Sequence, residues 1–274
     1  MKTTYESLRI GVDNGVAEVV LIGPGKGNAM GPEFWREMPE AFIALDAEPG
    51  VRAVIVRGVG KHFSYGLDLT AMMADLGPFL AGENLVAART RFLNLIVRMQ
   101  QACDRVARCR KPVIAAIDGW CVGGGVDLIT ACDVRLCTEA AKFSVREVRL
   151  AIVADMGSLQ RLPRLIGHGH ARELAYTGRD IDAARALRIG LVNDVLTSQD
   201  ALLEAARTMA REIANNPPLV VQGIKQVMDY AADHSLADGL QYVAVWNAAF
   251  LQSRDLQEAL SAFMERRPPQ FTGE

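Results

Sequence analysis

Residues 111–133 read KPVIAAIDGWCVGGGVDLITACD and place a strand signal, three consecutive glycines and a helix signal in direct succession. The β-branched and small apolar residues before the glycines indicate a buried strand. The apolar residues after Gly123, Gly124 and Gly125 predict a helix that is buried on most faces. The carboxylate of Asp127 lies in the first turn of that helix. A buried strand that runs through glycine into a buried helix is typical of an α/β fold.

The sequence on either side continues this alternation of strands and helices. The stretch LRIGVDNGVAEVVLI, residues 8–22, predicts a hairpin whose tight turn is Asn14–Gly15. Residues 66–83 are predicted to form a polar, irregular stretch. The remaining segments are a helix at 34–49, a strand at 51–60, a long amphipathic helix at 84–109 and two short strands within 134–145. The predicted fold class is therefore α/β.

Near Gln199 the predicted pattern changes from alternating strands and helices to helices alone. Four helical segments follow, and the first ends at an Asn pair before Pro217. They are too short to enclose a large core of their own, so we expect them to pack on the first domain or on another subunit. The predicted division is a core at residues 1–198 and a C-terminal helical region at residues 199–274.

Composition limits the class of protein. The chain has 274 residues, of which 50% are hydrophobic, and its formal net charge is -2, which is typical of a soluble globular protein. Intermixed charges give no basic patch for nucleic acid. The five cysteines are odd in number and lack the spacing of a metal site, which favours buried thiols. No apolar run is long enough for a bilayer and no targeting address is recognisable, so the expectation is a cytoplasmic protein without a membrane segment.

Three carboxylates stand out as candidates for acid–base chemistry. Asp127 lies at the start of the buried helix, Glu147 near the end of a short strand, and Asp155 between an apolar run and a new helix. Each also has a structural explanation, as a charge at a helix dipole, a surface charge and an N-cap respectively. The four histidines are scattered, and neither a nucleophile elbow nor a helix-borne His pair is present. No metal site is predicted.

Two glycine-rich segments are candidates for binding. The N–H groups at Gly123–Gly125 can approach an anion or an oxygen that becomes negative during a reaction. A tight turn that requires positive φ explains the same glycines. The loop GPGKGNAMG, residues 23–31, is not a nucleotide phosphate loop, because no Ser or Thr follows Lys26. It is either a plain loop or one that lays its backbone against a ligand.

Together these motifs resemble the crotonase, or enoyl-CoA hydratase/isomerase, superfamily. The matching segments are HFSYGLDLTAM at 62–72, the extended stretch KPVIAAIDGWCVGGGVDLITACDVRLC at 111–137, KFSVREVRLAIVADMGSLQRLPRLIG at 142–167 and ARALRIGLVNDVL at 184–196. The resemblance implies repeated strand-strand-helix units and a C-terminal helical region that assembles trimers or dimers of trimers. It also implies an acyl-CoA thioester substrate.

The resemblance assigns binding roles by position. Backbone N–H groups of Tyr65 and Gly124 are expected to hold the thioester oxygen. Tyr65 departs from the alanine that is usual there. Gly66, Gly123 and Lys26 are expected near the substrate. Asp68 is also expected among the substrate-binding residues, with a structural part in the loop. Lys26 and Lys225 are candidates for binding the CoA phosphates, although no motif fixes them.

The acid trio is similar to that of the Δ(3,5),Δ(2,4)-dienoyl-CoA isomerase subfamily. By this resemblance Glu147 removes the α-proton, Asp155 protonates the distal carbon, and Asp127 biases the charge of Glu147. No cofactor is implied, since CoA is part of the substrate. The alternatives are an enoyl-CoA hydratase, an isomerase that moves a single double bond, and a non-catalytic homologue that binds acyl-CoA or RNA.

Overall fold

The structure, a computed structural model, describes residues 2–23, 25–80 and 86–274. The strands in these ranges are β1 (Leu8–Asp13), β2 (Val16–Leu21), β3 (Ala53–Gly58), β4 (Val113–Ile117), β5 (Trp120–Val122), β6 (Val134–Thr138), β7 (Lys142–Ser144), β8 (Ile181–Asp182) and β9 (Asp194–Leu196). They form a six-stranded sheet in the order β1-β2-β3-β4-β6-β9 and a three-stranded sheet in the order β5-β7-β8. In the larger sheet β1 is antiparallel to β2, and the other neighbours are parallel.

Helices separate most of these strands. They are α1 (Pro32–Ala47), α2 (Leu69–Leu80), α3 (Val86–Ala107), α4 (Gly124–Thr130), α5 (Ser158–Thr177), α6 (Ala183–Arg188), α7 (Gln199–Ala214), α8 (Pro218–Ala232), α9 (Leu236–Phe250) and α10 (Arg254–Glu265). Three strand-strand-helix units follow one another along the chain: β1-β2-α1, β4-β5-α4 and β6-β7-α5. In the third unit a 3-10 turn at Glu147–Leu150 lies between β7 and α5. The chain is therefore an α/β structure built from a repeated unit.

The first hairpin forms at the predicted turn. Asn14 and Gly15 both have positive φ, 47° and 79°, between antiparallel β1 and β2. Two consecutive residues with positive φ form the tight turn whose twist matches that of the flanking strands. The Asn–Gly signal in the sequence is thus confirmed.

The large sheet is covered on both faces. Its alternating residues divide between two apolar clusters: Val54 and Val56 of β3 face the main core with α1 and α3, whereas Ala53 and Ile55 face α7. Parallel strands buried on both faces carry near-continuous apolar sequence, as β3 and β4 do. The helix α7 therefore packs on the core, which is one of the two arrangements expected for the C-terminal segments.

Two local expectations were wrong. Part of the stretch predicted to be irregular is helix α2, because the Asp68 carboxylate accepts the Ala71 N–H (2.9 Å) and caps the helix. Residues 81–83 of that stretch lie outside the described residues. Glu147 does not end a strand but begins the 3-10 turn that follows β7.

The last three helices expose large apolar side chains. These are Val220, Ile224, Met228, Leu236, Leu240, Val245, Phe250, Leu260, Phe263 and Met264. None of the helices in the described ranges has the length and apolar character needed to cross a bilayer. All five cysteines are free and buried, as predicted.

Candidate active site

The three predicted acids border one cavity of about 190 Å³, although Asp127 belongs to the second strand-strand-helix unit and the other two to the third. Asp127 lies on α4, Glu147 begins the 3-10 turn, and Asp155 lies in the loop before α5. Tyr65, Gly123 and Gly124 line the same cavity. The structure therefore brings together most of the residues predicted from the sequence.

Asp127 is the most deeply buried of the three acids. Its side chain is 1% exposed, and the Ser158 N–H at the start of α5 donates to its Oδ1 at 2.6 Å. Burial raises the pKa of Asp127 to about 6, and the charge of Asp155 adds to this effect, whereas the hydrogen bonding from Ser158 opposes it. The Asp127 carboxyl group is thus held by a short hydrogen bond from the N-terminus of α5. This hydrogen bond offsets only part of the cost of burying the ionised carboxylate.

Glu147 lies beside the glycine run. A Cβ added to Gly123, whose φ is 54°, would lie 3.2 Å from Glu147 Oε1. Glu147 Oε2 is buried and has no hydrogen-bond partner within the described part of the chain. Burial and, to a smaller extent, the charge of Asp127 raise the pKa of Glu147 to about 7. A carboxylate with an unpaired oxygen and a pKa near neutrality is suited to accept a proton from a substrate.

Asp155 is held through its backbone. The Gln100 side chain, from α3, donates to the Asp155 carbonyl at 2.7 Å. The Asp155 residue is half-buried, and this burial raises the pKa of its carboxyl group. A raised pKa keeps the group protonated to higher pH, which suits a proton donor.

Close packing of glycines shapes the wall around Gly124. A Cβ on Gly66, whose φ is 79°, would lie 2.6 Å from the Val122 carbonyl and 3.0 Å from the Gly124 nitrogen. Only glycine allows this approach of two backbone segments. The Gly124 N–H has no backbone acceptor among the described residues, so it is available to a ligand in the cavity.

The second predicted donor is occupied in the structure. The Tyr65 N–H donates to the Gly27 carbonyl at 2.9 Å. The Tyr65 ring also lies against Gly27, where an added Cβ would be 2.5 Å from the ring. The Gly66 N–H is bound to Ser64 Oγ at 3.0 Å. The Tyr65 N–H can hold a thioester oxygen only after the Gly27 carbonyl moves away.

The other predicted substrate contacts are placed less directly. Asp68 caps α2, in agreement with the structural part expected for it, but it does not line the cavity, so the structure does not place it as the substrate contact that was also expected. Lys26 is exposed on the loop between Gly25, which packs against Asp68, and Gly27. Lys225 is only 9% exposed and forms an ion pair with Asp133 at 2.8 Å. That pairing occupies Lys225, whereas Lys26 adjoins Gly27, which packs against the Tyr65 ring of the site.

Several residues of the site were not predicted from the sequence. Trp35 and Met99 supply apolar wall, and Ser158 and Gln100 hold two of the acids. The Ser158 and Gln100 contacts join residues 31 and 55 positions apart. No local signal marks them, because they depend on how α3, α4 and α5 pack together.

The chain is similar to named relatives over nearly its whole length. It is 44% identical to the mitochondrial Delta(3,5)-Delta(2,4)-dienoyl-CoA isomerase of Dictyostelium discoideum, across 98% of this chain and 92% of the relative. It is 43% identical to the peroxisomal enzyme of the same name from Arabidopsis thaliana, across 98% and 96%.

These relatives correct one expectation. Their names place the Dictyostelium protein in mitochondria and the Arabidopsis protein in peroxisomes. The expectation of a cytoplasmic protein was wrong. It relied only on the lack of a recognisable address, which carries little weight when similar proteins are organellar.

Solved structures and a family model agree with the predicted fold. A crystal structure of enoyl-CoA hydratase from Bacillus anthracis superposes with a TM-score of 0.87 at 33% identity, covering 98% of this chain and 100% of that one. The predicted crotonase-like α/β fold is thus confirmed. The family model described as Enoyl-CoA hydratase/isomerase matches residues 11–274. The chain belongs to the enoyl-CoA hydratase/isomerase family.

Proposed function

We propose that the chain converts a 3,5-dienoyl-CoA into the conjugated 2,4-dienoyl-CoA. The observation that supports this most is the meeting of three carboxyl groups on one largely apolar cavity. Shifting two double bonds requires a base at one carbon and an acid at a distant carbon. The names of relatives at 43–44% identity agree with this reaction.

The reaction begins with proton removal. The Glu147 carboxylate takes the α-proton, and the electron pair of the broken C–H bond forms a double bond to the adjacent thioester carbon, which places the negative charge on the thioester oxygen. The Gly124 N–H stabilises the negative oxygen, and the Tyr65 N–H joins it once the Gly27 carbonyl is displaced. Asp127 is the most buried of the three acids, and its charge helps to raise the pKa of Glu147 to about 7.

The reaction ends with proton delivery. The electron pair returns from the oxygen along the chain, and the ε-carbon takes a proton from the Asp155 carboxyl group. One proton has left the α-carbon and another has been added to the ε-carbon, so the substrate and product are isomers. Neither oxidation state nor composition changes, and therefore we propose that no metal or redox cofactor takes part.

An ultraviolet assay tests this proposal. Incubation with a 3,5-dienoyl-CoA should produce the absorbance of the diene conjugated to the thioester. Glu147→Gln and Asp155→Asn should each reduce the rate by about 10²–10⁴-fold, the usual contribution of positioned acid–base groups. If Asp155→Asn keeps its activity on a 3-enoyl-CoA, and this is the only class of substrate converted, the chain is an isomerase that moves a single double bond. Rapid hydration of a short 2-enoyl-CoA without diene isomerisation would establish a hydratase instead.

We also propose that the chain assembles as a trimer or a dimer of trimers through its last helices. The exposed apolar side chains on α8, α9 and α10 support this, since such a surface is unfavourable in water. Light scattering of the purified protein should give a mass of three or six chains. A monomer at micromolar concentration would contradict the proposal.

A further inference from the structure

Asp155 lies between two cavities of different character. On one side is the largely apolar cavity described above. On the other is a polar cavity of about 470 Å³, whose lining includes Gln100, Asp104, Gln160, Arg161 and Arg164. Asp155 and Met156 border both. Glu147 and Asp127 border only the apolar one.

The proposed reaction creates a need for proton transport. After each turnover Glu147 holds the proton from the α-carbon, and Asp155 has become a carboxylate. The next turnover requires the reverse state, so Glu147 must lose a proton and Asp155 must gain one. Of these two acids only Asp155 also borders the polar cavity, so Asp155 can regain a proton while the acyl chain still fills the apolar cavity, whereas Glu147 must wait until the product leaves.

We propose that the polar cavity is the path along which water returns a proton to Asp155. This inference rests on the proposed function. A hydronium ion or a buffer acid supplies the proton at the outer end, and water molecules pass it to the Asp155 carboxylate. Glu147 releases its proton separately through the apolar cavity after the product leaves. The balance is one proton from solvent and one proton to solvent in each turnover.

The wall of the polar cavity also fixes the segment that carries Asp155. Gln100 Nε2 donates to the Asp155 carbonyl at 2.7 Å, and Arg161 donates to the Met156 carbonyl at 3.2 Å. Arg161 in turn pairs with Asp104 at 2.7 Å. These contacts hold Asp155 at the boundary between the cavities. Changes at Gln100 or Arg161 would move the acid itself and would not test the path.

Gln160 is the suitable position for a test. It is exposed at the polar cavity, and its side chain makes no hydrogen bond within the described part of the chain. Gln160→Trp should obstruct the cavity with an apolar ring system. Gln160→Ser keeps the position polar and small, and is the matched control.

Isotope labelling distinguishes solvent return from direct transfer between the acids. The full-length protein is given an unlabelled 3,5-dienoyl-CoA in D₂O for many turnovers, and the product is analysed by mass spectrometry and NMR. Solvent return predicts deuterium at the ε-carbon in every turnover. Ordinary hydrogen at the ε-carbon after the first turnover would mean that Glu147 passes the α-proton to Asp155, and would overturn the proposal.

The variants then test the route. Gln160→Trp should lower kcat about tenfold, well short of the loss of an acid–base group, with KM unchanged and a larger solvent isotope effect. Imidazole buffer should restore part of the rate, because a small acid can enter a narrowed path. Gln160→Ser should match the unchanged protein. Equal kcat and isotope effects in all three proteins would overturn the route. If the unchanged protein forms no conjugated diene, the proposed function itself has failed.

Discussion

Each carboxyl group at the site has its proton affinity set by its surroundings. Burial is the largest influence on Asp127, Glu147 and Asp155, and in every case it raises the pKa. The charges of Asp127 and Asp155 add to the effect on Glu147. Groups coupled in this way titrate together, so a change at one acid must alter the titration of the others.

The first prediction concerns the pH dependence of the rate. The reactive form needs Glu147 ionised and Asp155 protonated, so kcat/KM should pass through a maximum as the pH rises, with the limb set by Glu147 near pH 7, its pKa in the free protein. In Asp127→Asn that limb should move to lower pH, because the charge that raises the pKa of Glu147 is removed. Initial rates with a dienoyl-CoA between pH 5 and 9 would measure both curves. If the pH–rate curves of the two proteins coincided, the coupling between Asp127 and Glu147 would be contradicted.

The same substitution should stabilise the fold. Folding raises the pKa of Asp127 from 3.8 to about 6, so the folded state binds the proton more tightly. Stability is therefore lost as the pH rises through this interval and stays low above it. Asp127→Asn should therefore increase the free energy of unfolding by on the order of 3 kcal/mol at pH 8, and should change it little below pH 4. Urea unfolding at both pH values would measure this. An equal increase in the free energy of unfolding at both pH values would show that the ionisation of Asp127 is not the cause.

At the scale of the elements, helix ends bring the site together. Helix α5 begins at Ser158, whose N–H holds Asp127, and α2 begins directly after Asp68. The loop between β2 and α1 packs Gly25 against Asp68 and Gly27 against Tyr65. The residue that caps α2, Asp68, and the residue whose N–H is occupied, Tyr65, therefore both pack against the same loop.

The capping role of Asp68 gives a third prediction. Asp68→Ala removes the acceptor of the Ala71 N–H and should reduce the free energy of unfolding by about 1 kcal/mol. Asp68→Asn retains a capping oxygen and should stay close to the unchanged protein. Thermal unfolding of the three proteins tests this. If Asp68→Asn were as destabilising as Asp68→Ala, the stabilisation would come from the charge of Asp68 and not from its capping hydrogen bond.

How much the sequence predicted depends on whether the signal was local. The Asn14–Gly15 turn, the β-branched strand before Gly119 and the amphipathic pattern of α3 are local, and each was predicted correctly. Helix α2 was missed because Gly77 and Pro78 resemble loop residues. The three acids were picked out from the sequence and given roles by the family resemblance, but the Ser158 and Gln100 contacts to them depend on packing between distant elements.

At the scale of the whole molecule, the predicted boundary at residue 199 separates α7 from a sheet that it covers. Leu202, Ala206 and Ala210 of α7 are buried against Ile55 and Leu136. The main sheet would lose the cover of one face without this helix. The helices α8 to α10 differ, since most of their large apolar side chains are exposed. The C-terminal region thus has one part that completes the core and another that offers a surface.

Two leucines distinguish these parts experimentally. Leu202 is 1% exposed, and Leu202→Ala should destabilise the chain by about 2–5 kcal/mol by leaving a cavity against the sheet. Leu240 is 60% exposed, so Leu240→Ala should affect stability only through association between chains. Thermal unfolding over a range of protein concentrations separates the two effects. The loss in Leu202→Ala should persist at every concentration, whereas any loss in Leu240→Ala should vanish on dilution to monomers. A loss in Leu240→Ala that survives dilution would place that residue in the core of the single chain.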